Sequence, residues 1–221
     1  MSPATQLPLD IRLRDDARIS TWLGTAASRL LAAEGIVYVW GAPGTGCSHL
    51  LQALCHVAKE VGDQAIYVGS PATHAPALLE GLELMPLICI DDIQTIAGDG
   101  RWEESLFHLL NSVRDRGGRL VLAANCPARL IGIALADLKS RLLAAQSIET
   151  DALDDLQKLR LLQQKATRQG FFLTDQVGRY ILERASRDMR GLLLQFESLE
   201  VETVRQHRKL TIPFVRKTLQ L

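Results

Sequence analysis

The spacing of apolar residues divides the chain into two parts with different secondary structure. Up to about residue 150, short apolar runs alternate with longer segments in which apolar residues recur at helical intervals. From Asp151 onward, consecutive segments all have helical periodicity. Strands that alternate with helices of this length form a parallel sheet covered on both faces. The pattern therefore predicts a three-layer α/β/α base followed by an all-α lid.

Four strands and three longer helices are predicted in the first part. The strands are short apolar or β-branched runs at 35–40, 65–69, 86–93 and 119–125. The helices are predicted at 48–62, 75–82 and 102–118. The helices of the second part begin near Asp or Thr, residues that cap helix N-termini. We expect an N-terminal tail at 1–20, the base at 21–150 and the helical lid at 151–221.

Composition and charge narrow the class of protein. Hydrophobic residues make up 47% of the 221 residues, enough to bury a sizeable core. Lys plus Arg equals Asp plus Glu, 25 against 25, so no overall basic field favours sequence-independent DNA binding. The chain has no run of 18 apolar residues and no secretory signal, and we expect a cytoplasmic protein outside the membrane. No C-x-x-C pair occurs, so we expect reduced structural thiols.

A glycine-rich loop, GAPGTGCS at 41–48, matches the phosphate-loop pattern G-x-x-x-x-G-K-[ST] except at the lysine position, which holds Cys47. Such a loop between a strand and a helix directs backbone N–H groups at an anion without the help of a lysine. Ser48 keeps the hydroxyl that usually binds magnesium. A tight glycine turn without a ligand fits this stretch equally well. The candidate nucleotide contacts are Gly41, Gly44, Thr45, Gly46, Cys47 and Ser48.

The apolar strand predicted at 86–93 ends in two aspartates, and these favour a nucleotide-binding loop over a glycine turn without a ligand. Asp91 and Asp92 have the form of a Walker B segment, in which the first acid helps to hold magnesium and the second polarises the attacking water. Adjacent carboxylates repel each other, and a nearby cation would relieve the repulsion. An acidic turn is the alternative, but the preceding glycine loop favours nucleotide binding. Without the lysine, we expect ADP to bind nearly as well as ATP and unaided hydrolysis to be slow.

Two arginines allow more than one interpretation. Arg190 lies in the first turn of the helix predicted to start at Asp188. Its positive charge interacts unfavourably with the positive end of the helix dipole, at a cost of ~0.3–1 kcal/mol. A bound anion would offset this cost, and a solvated surface arginine fits the spacing equally. Arg141 lies near the end of a short predicted helix, where a basic residue is unremarkable.

The order of these motifs resembles the AAA+ domain of the DnaA family of bacterial replication proteins. The segments that carry the resemblance are the glycine loop, LICIDDIQTIAG, LVLAANCPARL, LADLKSRL and DMRGLLLQFESLE. The chain ends with RKLTIPFVRKTLQL, where DnaA would continue into a helical DNA-binding domain. That ending and the N-terminal QLPLDI resemble the Hda branch of the family, whose members inactivate DnaA after replication begins.

The resemblance implies roles for individual residues. The two aspartates would be Walker B acids, and Arg190 would be the sensor arginine of the lid. Asn125 stands at the sensor 1 position, where an acid is more usual. Arg141 would be an arginine finger directed at ATP on a DnaA partner, a contact worth about 10³–10⁵ in rate in GTPases. ADP, or ATP, would be the bound cofactor, with magnesium held through Ser48 and Asp91.

The resemblance also implies partners and a function. QLPLDI resembles the hexapeptide that docks into the DNA polymerase III sliding clamp, with contacts from Gln6, Leu7, Leu9 and Ile11. DnaA would be the second partner, and DNA would be reached mainly through the clamp; self-association is left open. The implied function is negative regulation of replication initiation by a nucleotide-bound adaptor that stimulates ATP hydrolysis by DnaA.

Two other functions stay compatible with the sequence. The first is an autonomous AAA+ ATPase of the helicase-loader or transposition-helper type, against which Cys47 and Asn125 argue. The second is a DNA-binding, initiator-like module. Zero net charge disfavours it, although Arg205, Arg208 and Lys209 form a small basic group.

Overall fold

The computed structural model describes residues 13–186, 188–206 and 209–220. The predicted clamp contacts Gln6, Leu7, Leu9 and Ile11 lie outside these residues. The chain separates into two compact units. The N-terminal unit consists of Met1–Gly41 and Gly46–Thr150, and the C-terminal unit consists of Ala42–Thr45 and Asp151–Leu221.

Five parallel strands form the sheet of the N-terminal unit, in the order β2-β3-β4-β1-β5. They are β1 Ile36–Trp40, β2 Ala65–Val68, β3 Leu87–Ile90, β4 Arg119–Ala124 and β5 Gln146–Glu149. The four predicted strands are confirmed. The fifth, β5, is an edge strand in which only Ile148 is buried, so it lacks the apolar run from which the others were predicted.

Four α-helices belong to the same unit. They are α1 Ala26–Ala32, α2 Cys47–Glu60, α3 Gly100–Asp115 and α4 Ala136–Ala144. The predictions for α2 and α3 are confirmed to within a few residues. The helix predicted at 75–82 is wrong, because the segment forms 3-10 turns at Pro76–Leu79 and Leu82–Leu84. Gly81 between them has φ 81°, a left-handed conformation that interrupts a right-handed helix.

Apolar clusters cover both faces of the sheet. Alternate residues of a strand point to opposite faces. Val37 and Val39 of β1 accordingly join a cluster with α1 and α2, whereas Tyr38 joins a second cluster with α3 and α4. The predicted three-layer α/β/α arrangement is confirmed.

The described part of the predicted N-terminal tail lies against this unit. Ala17 is completely buried, and Leu13 and Ile19 pack against the cluster that contains α2. Residues Ile19–Thr21 form a short 3-10 turn. The chain from residue 13 onward is therefore in contact with the sheet-and-helix body.

The C-terminal unit is all-α. Its helices are α5 Asp155–Arg168, α6 Asp175–Arg184, α7 Met189–Gln206 and α8 Ile212–Leu219. Asp154 and Thr174 cap α5 and α6 by accepting backbone N–H bonds of 2.7 and 3.3 Å, as their positions predicted. Phe196, with other apolar side chains of all four helices, forms a separate core. None of the described helices combines the length and the apolar character needed to cross a membrane.

Candidate functional site

The glycine loop joins β1 to α2 and takes its shape from the backbone. The N–H of Gly41 donates to the carbonyl of Ala124 at the end of β4, at 3.3 Å. Gly44 and Gly46 have φ values of 90° and 97°, in the left-handed region that favours glycine. Thr45 between them is buried, and its hydroxyl donates to a carbonyl within the loop at 2.8 Å. Positions 44 and 46 therefore favour glycine, whatever residue stands at position 47.

Gly46 is restricted by space as well as by conformation. A Cβ atom at Gly46 would lie 2.9 Å from Cζ3 of Trp22, closer than real Cβ contacts allow. The Trp22 ring also lies beside His49 of α2, with ring centroids 6.1 Å apart. Because Gly46 precedes α2, the first backbone N–H groups of that helix face the loop. This helix end has the geometry of an anion-binding site.

Cys47, at the lysine position, is the first residue of α2 and is partly buried. Its Sγ lies 3.2 Å from the hydroxyl oxygen of Thr150, which directly follows β5. Thr150 is itself buried and donates its backbone N–H to the carbonyl of Trp40 at the end of β1, at 2.8 Å. The thiol thus contacts the residue after β5, which in turn is bound to the end of β1, and it lacks the positive charge of a lysine.

Asp91 directly follows β3 and is only 3% exposed. Its carboxylate accepts hydrogen bonds from the hydroxyl of Tyr67 at 2.8 Å and from the N–H of Asp92 at 2.9 Å. Burial raises the pKa of Asp91, and the charge of Asp92 raises it further, whereas hydrogen bonds with Ser48 and Tyr67 lower it. A cation beside this carboxylate would favour its ionised form.

Ser48 and Asp91 are suited to a magnesium ion that is shared with a nucleotide. Their hydrogen bond places a hydroxyl beside a carboxylate, both oxygen ligands of the kind that magnesium prefers. Within the described ranges, no cluster of three or more His, Cys, Asp or Glu side chains could hold a metal by itself. A magnesium ion here would take its other ligands from phosphate and water. The residues present therefore fit a magnesium–nucleotide complex.

Gln94 connects Asp92 to Asn125, the residue that directly follows β4. Its side-chain amide donates to Oδ1 of Asp92 at 2.9 Å, and its Oε1 accepts the backbone N–H of Asn125 at 3.2 Å. Asp92 has φ 53°, an unusual left-handed conformation for a residue with a side chain. The structure therefore brings Asp92 and Asn125 together through a residue that the sequence did not indicate.

Arg141 lies in the last turn of α4 and is partly buried. Among the described residues, none forms a hydrogen bond or an ion pair with its guanidinium group. An arginine presents five N–H donors in a planar fork that matches carboxylate and phosphate oxygens. Arg141 thus belongs to the N-terminal unit but not to the hydrogen-bonded group around Asp91.

Arg190, the predicted sensor arginine, is the second residue of α7 in the C-terminal unit and is exposed. Asp188 lies immediately before this helix and accepts the N–H of Gly191 at 2.8 Å and the hydroxyl of Ser186. The hydrogen bond from Ser186, followed by that from Gly191, lowers the pKa of Asp188. A carboxylate of the chain therefore already lies at the positive end of α7.

Two protein-family models match successive parts of the chain. The model for the bacterial DnaA ATPase domain matches residues 72–149. The model described as the Hda lid domain matches residues 155–219. The two matches follow each other along the chain with little between them.

Solved structures of DnaA and of a branch migration motor have the same fold. Domain III of the replication initiation protein DnaA from Thermotoga maritima matches with a TM-score of 0.80 and 18% identity, over 95% of this chain and 98% of that one. AMPPCP-bound DnaA from Aquifex aeolicus matches with a TM-score of 0.68 and 22% identity, over 88% and 71% of the two chains. The RuvB Holliday junction branch migration motor from Thermotoga maritima matches with a TM-score of 0.64 and 17% identity, over 91% and 66%.

Proposed function

The chain is an AAA+ protein of the Hda/DnaA family, and on that premise we propose that it stimulates ATP hydrolysis by DnaA through Arg141. In this function the chain is a nucleotide-bound adaptor whose arginine acts in trans, on ATP held by the partner. Conversion of DnaA-ATP to DnaA-ADP makes the chain a negative regulator of replication initiation. Its own ligand is ADP, or ATP, with magnesium.

The glycine loop supports nucleotide binding without efficient hydrolysis. Backbone N–H groups and the N-terminus of α2 bind phosphate irrespective of the side chain at position 47. A lysine would add a positive charge at the β- and γ-phosphates. Cys47 lacks that charge, so the γ-phosphate of ATP gains little over ADP and the chain hydrolyses ATP slowly by itself. The bound nucleotide has a structural role in this proposal.

The observation that carries the proposal is that the guanidinium group of Arg141 is not engaged by the described residues. Within the described parts of the chain, no acceptor holds its guanidinium group, although the side chain is partly buried. An arginine finger needs an unengaged guanidinium group that can reach the phosphate of another molecule. The position of Arg141 near the C-terminal end of α4 is compatible with such a contact.

The deciding experiment measures ATP hydrolysis by DnaA in the presence of clamp-loaded DNA and this protein. We expect Arg141→Ala to remove most of the stimulation. If the contact resembles those in GTPases, the rate of hydrolysis should fall by about 10³-fold. Arg141→Lys is the matched control, since it keeps the charge but loses the planar fork, and we expect only a partial recovery. Both variants should bind ADP as the unmodified protein does. Equal stimulation by the Arg141→Ala variant would exclude the finger.

The hexapeptide at the N-terminus supports docking on the sliding clamp. Gln6, Leu7, Leu9 and Ile11 are the proposed contacts, and Pro8 restricts the backbone so that less conformational freedom is lost on binding. Omission of the clamp from the same hydrolysis assay tests this step. Stimulation that persists unchanged without the clamp would show that docking is not needed.

An autonomous ATPase is the second candidate, because the hydrogen-bonded group of Ser48, Tyr67 and Asp91 provides the chemistry of a magnesium site. The two functions differ in an assay without DnaA. ATP turnover by the isolated protein, abolished by Asp91→Asn, would favour the second candidate over the first.

A further inference from the structure

Glu103, in the first turns of α3, is a carboxylate buried to 1% exposure. It accepts three backbone N–H groups, from Gly98 at 2.7 Å, from Ala134 at 3.0 Å and from Leu135 at 2.7 Å. In the described ranges no cationic side chain forms an ion pair with it. The buried negative charge is thus compensated by backbone donors from two separate loops.

The two loops lead to different parts of the candidate site. Gly98 ends the segment that starts at Asp91 and Asp92 and passes through the 3-10 turn Ile93–Ile96. Ala134 and Leu135 lie at the end of the connection from β4 to α4. The carboxylate of Glu103 therefore binds two segments at once. One is the loop that follows Asp91 and Asp92, and the other is the start of α4, the helix that carries Arg141.

Glu103 holds the start of α4, a helix whose own N-cap residue makes no side-chain cap hydrogen bond. Leu135 is the N-cap residue of α4, and its apolar side chain cannot accept a hydrogen bond. The carboxylate of Glu103 accepts the N–H of this residue from outside the helix. A negative charge at a helix N-terminus is also favoured by the helix dipole. The start of α4 is therefore held by a side chain of α3.

The helix converts a small change at this cap into a displacement at the arginine. Arg141 is six residues beyond Leu135, which is about 9 Å along the helix axis. A tilt of about 10° at the cap would move the backbone at Arg141 by roughly 1.5 Å over that length. A displacement of about 1 Å at a reacting centre can lower a rate by about 10²-fold.

We propose that Glu103 is a positioning residue that sets where α4 presents Arg141 and couples that position to the loop after Asp91 and Asp92. The inference rests on the proposed function of Arg141 as a finger in trans. Glu103 itself does not touch the nucleotide of DnaA in this arrangement; it acts through Arg141.

The test substitutes Glu103 and measures stimulation of DnaA hydrolysis over a range of concentrations of this protein. Glu103→Gln keeps the shape of the side chain but replaces one acceptor oxygen by an N–H donor, which opposes the N–H groups of one loop. We expect the maximal rate to fall by about tenfold or more, with the half-saturating concentration unchanged within about twofold. Glu104→Gln is the matched control, because the neighbouring Glu104 is exposed, and it should leave both quantities unchanged.

A second comparison separates positioning from general loss of structure. If Glu103 acts through Arg141, the combined Glu103→Gln and Arg141→Ala variant should be no slower than Arg141→Ala alone. Amide hydrogen exchange should also become faster at Gly98, Ala134 and Leu135, and through α4, in the Glu103→Gln protein. Should that protein fail to unfold cooperatively, Glu103→Asp, which keeps the charge but is one methylene shorter, takes its place with the same expected pattern.

The outcomes distinguish this inference from the function on which it rests. If Arg141→Ala abolishes stimulation but Glu103→Gln and Glu103→Asp retain the full maximal rate, the positioning role is wrong and the finger stands. The same conclusion follows if the Glu103 substitution changes only the half-saturating concentration. It follows too if Arg141→Ala leaves a measurable residual stimulation and the Glu103 substitution lowers this residual stimulation by the same factor as in the unmodified protein. If Arg141→Ala stimulates like the unmodified protein, both proposals fail together.

Discussion

The glycine loop and the end of β3 contribute to the candidate site in different ways. The loop is shaped by backbone conformation, with Gly44 and Gly46 in the left-handed region. The end of β3 is shaped by side chains, because Asp91 is buried among hydrogen bonds from Ser48 and Tyr67. A backbone site can lose one side chain and keep its geometry, whereas a side-chain network cannot. The comparison explains how the lysine position can hold a cysteine while the loop keeps its shape.

The largest effect is expected from a methyl group on the loop backbone. Gly46→Ala should lower the free energy of unfolding by about 1–2 kcal/mol through its left-handed φ and by about 1–3 kcal/mol more through crowding against Trp22. The same change should weaken ADP binding, since the loop must move. Urea unfolding at 25 °C measures the first quantity, and titration with ADP measures the second.

Gly62→Ala is the control for this substitution. Gly62 has a similar φ of 87°, but its added Cβ would meet no atom within 4 Å. We expect it to carry only the backbone cost of about 1–2 kcal/mol and to leave ADP binding unchanged. If both variants lost equal stability, the contact with Trp22 would not restrain the loop.

A smaller effect is expected when the charge is restored at position 47. Cys47→Lys should raise the affinity for ATP relative to ADP by about tenfold, because a hydrogen bond to a charged group contributes about 1.5–3 kcal/mol. Cys47→Met is the control, with an unbranched side chain of similar length and no charge. Isothermal titration with both nucleotides gives the affinity ratio. An equal ratio for the two variants would mean that the backbone alone determines nucleotide preference.

The sequence predicted those features that a local pattern carries. The glycine loop, the four strands with continuous apolar runs and the aspartates after β3 are of this kind. Strand β5 was missed because Ile148 is its only buried residue. Glu103 and Gln94 were missed because each contacts a backbone N–H group 31 residues away, and no sequence interval encodes such a contact. The charge of Glu103 also argued against burial, since a charged residue is rarely buried without a partner.

The smallest effect concerns pH, and it tests the side-chain half of the comparison. Burial raises the pKa of Asp91 in the folded chain above the ordinary value of 3.8. Between these two pKa values the folded state binds more protons than the unfolded state, so the free energy of unfolding falls as pH rises. The stabilisation is fully present below the ordinary value and is lost above the raised one.

Asp91→Asn cannot titrate and provides the reference. We expect the Tm of the unmodified protein minus that of the variant to fall between pH 4 and 8, in the absence of nucleotide and magnesium. Each kcal/mol corresponds to about 2–4 °C in a chain of this size. Magnesium–ADP at pH 8 should then raise the Tm of the unmodified protein more than that of the variant, because a cation stabilises the ionised carboxylate. A difference in Tm that stays constant with pH would mean that the network around Asp91 already accommodates the charge, and that this end of the site, like the loop, is preformed without a cation.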